Sequence, residues 1–91
     1  MQYEINAKLK KHGQSNSNEY ISFNLSISNQ ESSTYAILVA RDEIDDTTLD
    51  FGESIKFSLT DVKEMIDNPK QFVSFMDTKG FDVPQLILKS C

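Results

Sequence analysis

The sequence is poor in the residues that make catalytic centres and covalent cross-links. It contains one His, one Cys and no Trp, so it has neither an internal disulfide nor a zinc site built from clustered Cys and His. His12 is expected in a polar loop with nothing to hold it, and Cys91 is the last residue. No Gly-rich phosphate loop or nucleophile motif is present. The sequence therefore predicts a protein that is not an enzyme and that carries no cofactor.

Long apolar runs and a secretion signal are also missing. No stretch approaches the length that spans a membrane, and the N-terminal residues lack the charged and apolar regions of a signal peptide. A cytoplasmic, reducing location without a membrane partner is therefore expected. Three Gly and two Pro are too few for a low-complexity chain, and 91 residues predict a single domain over positions 1–91.

Three segments predict the first strands of a sheet. Residues 3–9 and 20–28 alternate apolar and polar side chains with a period of two, which is typical of half-buried antiparallel strands. Residues 35–40 are apolar on both faces, so this third strand is expected to lie centrally and to be covered on both sides. Residues 54–59 alternate again and predict a fourth strand.

The period changes to that of a helix in the second half of the chain. Apolar residues spaced by three and four positions after Asp61 predict a short helix that begins near this residue. Pro69 is expected to open a second helix, although residues 70–76 also suit a strand. Residues 81–90 predict a last strand, in which Pro84 favours an edge position or marks where pairing begins.

The predicted order of elements is β-β-β-β-α-α-β. It indicates an α+β fold, with a largely antiparallel sheet of about five strands and one or two short helices packed on one face.

One stretch of the chain concentrates the negative charge. The net charge is −5, and six of the fourteen acidic residues lie within twelve positions that contain no Lys or Arg. These six residues are Asp42, Glu43, Asp45, Asp46, Asp50 and Glu53. Residues 42–53 are expected to form a long connection between the third and fourth strands, with Ile44, Leu49 and Phe51 as apolar anchors.

Carboxylates in a short segment also suit Ca²⁺, but the EF-hand register fails here. A loop that starts at Asp42 places Ile44 at the second ligand position, and one that starts at Asp46 places Thr48 there. The central glycine is missing in both registers. No metal site is therefore predicted, while a Ca²⁺ site of another type stays open.

The acidic stretch predicts a binding surface for a basic protein. Carboxylates in a row pair with Arg and Lys of a partner, or imitate the phosphates of a nucleic acid. Nucleases and other nucleic-acid-handling proteins have positively charged clefts of this kind. The hypothesis is a small acidic protein–protein interaction domain that binds and inhibits such a partner, in the manner of immunity proteins, antitoxins and phage-encoded inhibitors of host defence. A solvated loop that keeps the protein soluble is the competing interpretation.

Two further functions fit the sequence. A structural or adaptor subunit would assemble through open sheet edges, so the chain is expected as a monomer or a small homo-oligomer. A module for single-stranded nucleic acid would stack bases on Tyr3, Tyr20 and Phe23. Aromatic residues at alternating strand positions are more typical of a core, however. The net charge also has the wrong sign for binding phosphates, so no direct contact with nucleic acid is expected.

Overall fold

Five strands and two helices make up the fold. The structure is a computed structural model and describes residues 1–13, 19–42 and 47–90. The strands are β1 (Gln2–Lys11), β2 (Glu19–Ser28), β3 (Ser33–Asp42), β4 (Thr47–Ser58) and β5 (Phe81–Ser90). The helices are α1 (Leu59–Asp67) and α2 (Pro69–Thr78). The predicted α+β fold and its order of elements are confirmed.

The strands form one antiparallel sheet in the order β4-β3-β2-β1-β5. Three hairpins connect the first four strands, and the chain then returns through both helices to place β5 beside β1. The predicted edge position of Pro84 is confirmed, because β5 is an edge strand. Its pairing with β1 is shifted between Lys8 and Lys10, where β5 carries an extra residue next to the proline.

One face of the sheet and the inner sides of both helices form the core. The ring of Phe23 lies at its centre and packs edge-on against Phe57 and Phe72, with centroid distances of 5.6 and 5.1 Å. All three rings are at most 2% exposed. Alternation of apolar side chains along β1 and β2 therefore produces the buried face that the sequence predicts.

The prediction that β3 is covered on both sides is wrong. Ala36 and Leu38 are fully buried beneath the helices, but Tyr35 and Ile37 on the opposite side of the strand are 61% and 57% exposed. Both helices lie on the same face of the sheet, so no second layer covers the other one in the part of the chain that the structure describes. We name this uncovered side the open face.

Helix α1 begins three residues earlier than the sequence indicated. The Ser58 hydroxyl accepts a hydrogen bond from the Asp61 N–H at 3.1 Å, and the Asp61 carboxylate accepts one from the Ser58 N–H at 3.4 Å. This capping box makes Ser58 the N-cap and Asp61 the third helical residue. Leu59 therefore belongs to the helix and not to the preceding strand.

The second helix settles the ambiguity over residues 70–76. Pro69 is its first residue, Phe72 and Met76 are buried four positions apart on one side, and the segment is helical throughout. Gly80 follows the C-cap with a φ of +92°, which a side chain would oppose, and its N–H donates to the Asp77 carbonyl.

Replacing Ser58 with alanine is expected to lower the free energy of unfolding by about 1 kcal/mol, because the first turn of α1 loses its side-chain cap. Urea denaturation followed by circular dichroism measures the change. Ser74→Ala on the exposed side of α2 is the control and should change the free energy of unfolding by less than about 0.5 kcal/mol. Equal stability of the Ser58 variant and the wild type would show that the cap contributes nothing.

Candidate functional site

The acidic stretch belongs mostly to strands. Asp42 is the last residue of β3, while Asp50 and Glu53 lie within β4, so the connection consists only of residues 43–46. The prediction of a long connection over residues 42–53 is therefore wrong. Pairing with β3 extends β4 well beyond its alternating segment, through a bulge at which Gly52 has a φ of +68°.

Three of the six candidate residues fall outside the described part of the chain. These are Glu43, Asp45 and Asp46, and the proposed anchor Ile44 lies outside it as well. The backbone positions of Asp42 and Asp50 are fixed by pairing opposite Thr47 and Val39, respectively. Glu53 is exposed beside the bulge. We name residues 42–53 the acidic hairpin.

The register of the sheet adds an acidic residue that the sequence did not single out. Glu19, the first residue of β2, pairs directly with Asp42 on β3. Like charges at directly opposed positions of neighbouring strands are destabilising. Glu19 stands 23 positions before Asp42 in the chain, so only the strand register shows that the two are neighbours.

The open face has a composition unlike the rest of the molecule. It carries five of the nine basic residues, two tyrosines and two large aliphatic side chains that are exposed, Ile37 and Ile87. The basic residues are Lys8, Lys10, Arg41, Lys56 and Lys89. Glu4 and Asp82 lie on this face, and the pairing of Asp50 opposite Val39 places that residue on the same side. Basic residues therefore outnumber acidic ones among the residues placed on the open face, whereas the whole chain carries a charge of −5.

Tyr20 occupies one end of this face among three cations. Its ring lies 4.6 Å from the Nζ of Lys10 and 5.3 Å from the Nζ of Lys8, both within the range of cation–π attraction. Arg41 is its cross-strand neighbour on β3. The tyrosine therefore contributes a cation–π contact to each of two neighbouring lysines.

A shallow depression of about 200 Å³ lies in the middle of the open face. Its polar side chains include three amides, from Asn6, Asn24 and Gln85, and Ile87 forms an apolar wall. Asn6 pairs with both Asn24 and Ile87 across the ladders, which brings these groups together. Each amide offers donors and an acceptor to whatever occupies the depression.

The aromatic residues named for base stacking occupy three different environments. Phe23 is fully buried in the core, as alternating positions predict. Tyr3 packs partly against the core, and only Tyr20 lies on the open face. The most exposed tyrosine is Tyr35, on the strand that was expected to be covered on both sides.

His12 is held in place, contrary to expectation. Its backbone N–H donates to the Gly80 carbonyl at 3.0 Å, and its side-chain Nε2 lies 3.3 Å from a carboxylate oxygen of Asp77 and 3.2 Å from one of Asp82. The three side chains are exposed, and their ligand atoms lie within 4.8 Å of one another. One imidazole nitrogen and two carboxylates form a donor set that suits a transition-metal ion such as Zn²⁺.

No helix among the described residues is both long and apolar enough to cross a membrane.

Comparisons with protein-family models, with curated proteins and with solved structures give no match to this chain.

Proposed function

We propose that this protein is a non-enzymatic interaction domain that binds a basic protein partner through the acidic hairpin and inhibits it. Nucleases and other nucleic-acid-handling proteins are the partners that this chemistry suits, because their clefts are lined with Lys and Arg.

The pairing of Glu19 with Asp42 is the observation that carries the proposal. It extends the run of acidic residues from one hairpin onto a third strand at the same end of the sheet. This arrangement concentrates negative charge at one end of the sheet and adds nothing to the apolar core. Departures from favourable local pairing are typical of functional sites, where binding rather than folding selects the residues.

An adaptor that assembles through sheet edges has less support. Among the strands that the structure describes, β4 and β5 lie at the edges of the sheet, and β1 lies inside it. Pro84 removes a backbone donor from β5, and the bulge at Gly52 interrupts β4. Both features oppose the addition of a further strand.

Charge reversal of the acidic hairpin is expected to weaken partner binding by a factor of about ten or more, because several attractive pairs become repulsive. The variant combines Asp42→Lys, Glu43→Lys, Asp45→Lys and Asp46→Lys. The partner is first captured from a lysate of the source organism on the immobilised wild-type protein and identified by mass spectrometry. Its Kd for each variant is then measured at low and high salt, together with its own enzymatic activity.

A matched control separates a specific surface from general electrostatics. Glu31→Lys, Glu64→Lys, Asp67→Lys and Asp77→Lys change the net charge equally, and all four positions are exposed outside the acidic hairpin. This control should retain most of the affinity and of the inhibition. If the hairpin variant binds and inhibits at wild-type strength, the acidic hairpin is not the binding surface.

A further inference from the structure

We propose that the open face of the sheet binds single-stranded nucleic acid. This site is distinct from the acidic hairpin, and the inference does not depend on the proposed function.

The sign of the local charge is the first reason. Five basic residues stand on the open face, against three acidic residues that the strand register places there, Glu4, Asp50 and Asp82. No contact with nucleic acid was expected because the net charge of the whole chain is negative. Folding separates the charges, however, so an approaching phosphate meets a cationic surface on this side.

The cations are distributed so that a strand lying across the sheet meets them repeatedly. Lys56 on β4 pairs with Tyr35, and Lys89 on β5 pairs with Glu4, so these two lysines stand at opposite edges of the sheet. Lys8 and Lys10 lie on β1 between them. A phosphate backbone that crosses the strands therefore has a cationic contact at each edge and in the interior.

Exposed flat and apolar groups lie between the cations. Tyr35 is 61% exposed and Ile37, two residues further along β3, is 57% exposed. A tyrosine in a sheet is held rigidly and offers its ring to a base at small entropic cost, and such stacking accepts any base. Burying Tyr35 and Ile37 under bases also removes apolar surface from water, which a chain of phosphates alone does not do.

The depression beside these residues supplies hydrogen-bonding groups for base edges. In residues 1–13, 19–42 and 47–90, the amides of Asn6, Asn24 and Gln85 make no side-chain hydrogen bond. Side-chain amides match the paired donor and acceptor atoms on the edges of unpaired bases. An acidic protein segment satisfies the lysines and bonds to the amides through its backbone, but its carboxylates do not stack on the ring of Tyr35. Single-stranded nucleic acid uses all three kinds of group.

The test uses fluorescein-labelled oligomers of about 12 nucleotides, which is within the range that a small domain covers. Fluorescence anisotropy at about 50 mM salt measures binding of oligo-dT and oligo-U, with a DNA duplex and poly-glutamate as competitors. We expect saturable binding that weakens as the salt concentration rises. The single strands should displace the probe, and the duplex and poly-glutamate should be at least tenfold poorer competitors.

Two variants with equal changes in charge give the matched comparison. Lys56→Glu with Lys89→Glu alters the open face, whereas Lys70→Glu with Lys79→Glu alters exposed positions in α2 and just after it. The first variant should lose at least tenfold in affinity and bind with a shallower salt dependence, and the second should lose less than threefold. Tyr35→Ala should weaken binding by about fivefold or more through lost stacking.

Several results would overturn the inference. They are the absence of binding at low salt, equal losses in the two double variants, unchanged binding by Tyr35→Ala, and competition by the duplex or poly-glutamate as strong as that by the single strands. Circular dichroism checks that each variant is folded. We expect all of them to fold, because the substituted side chains are exposed. The variant with the charge-reversed acidic hairpin should still bind the oligomers. Loss of protein binding at the hairpin is therefore distinguishable from loss of oligomer binding at the open face.

Discussion

Replacing Phe23 with alanine is expected to lower the free energy of unfolding by about 3–5 kcal/mol. The ring is fully buried and contacts two other rings edge-on, so truncation removes both the burial and the two aromatic contacts. A domain of this size is stable by only about 5–15 kcal/mol, so the variant is expected to be near the limit of folding. Urea denaturation, followed by circular dichroism and by tyrosine fluorescence, measures the change.

Two control variants locate the effect at the centre of the core. Phe23→Leu keeps most of the apolar volume and should cost much less than the alanine substitution. Val73→Ala removes an apolar side chain that is 44% exposed on α2, and it should change stability by less than about 1 kcal/mol. A loss below about 1 kcal/mol for Phe23→Ala would mean that the three rings do not form the packed centre of the protein.

Leu38 and Ile37, which are adjacent on β3, are expected to respond very differently to truncation. Leu38→Ala should cost about 2–5 kcal/mol because the side chain is fully buried beneath the helices. Ile37→Ala should cost less than about 1 kcal/mol because more than half of that side chain is in water. Chemical denaturation of both single variants and of the double variant measures the difference.

This pair of substitutions tests the existence of the open face directly. If a further layer of protein covered both sides of β3, the two truncations would cost similar amounts. Nearly equal losses would therefore contradict the exposure of Ile37, and with it the surface on which nucleic acid is expected to bind. The sum of the single effects should match the double variant within about 0.5 kcal/mol, because the two side chains point to opposite faces.

The architecture was predictable because its periodicity is local. Strict alternation in β1 and β2 and the spacing of apolar residues in the helices specify which residues face the core. The strand at residues 35–40 was misjudged because apolar residues on both sides do not reveal how many layers pack on a sheet. Tyr35 and Ile37 are apolar enough for a core, and only the position of the helices shows that they are exposed.

The candidate sites depend on pairing between distant segments, which periodicity does not contain. The acidic residues and Gly52 are typical of a loop, yet Asp50 pairs with β3 and Glu53 lies in the same strand, within the bulge. The proximity of Glu19 to Asp42 follows from the register of β2 and β3. The basic residues of the open face likewise come from four different strands. The net charge of the whole chain is negative and therefore does not reveal this cationic surface.

Taken together, the two proposed sites give the domain two charged surfaces of opposite sign. An acidic hairpin suits a basic protein, while a cationic sheet suits the nucleic acid that such a protein handles. The two sites are tested by different variants and different ligands. If the test of one site fails, the proposal for the other site is unaffected.

The pairing of β5 with β1 determines the order in which the sheet is completed. Ile5 pairs with Leu88, so this ladder joins opposite ends of the chain, whereas the other three ladders are hairpins. Contacts between distant segments slow folding, since the intervening chain must be ordered first. During synthesis on the ribosome, the outer edge of β1 remains unpaired until β5 emerges. The nascent protein therefore passes through a stage in which that edge is open to pairing with other chains.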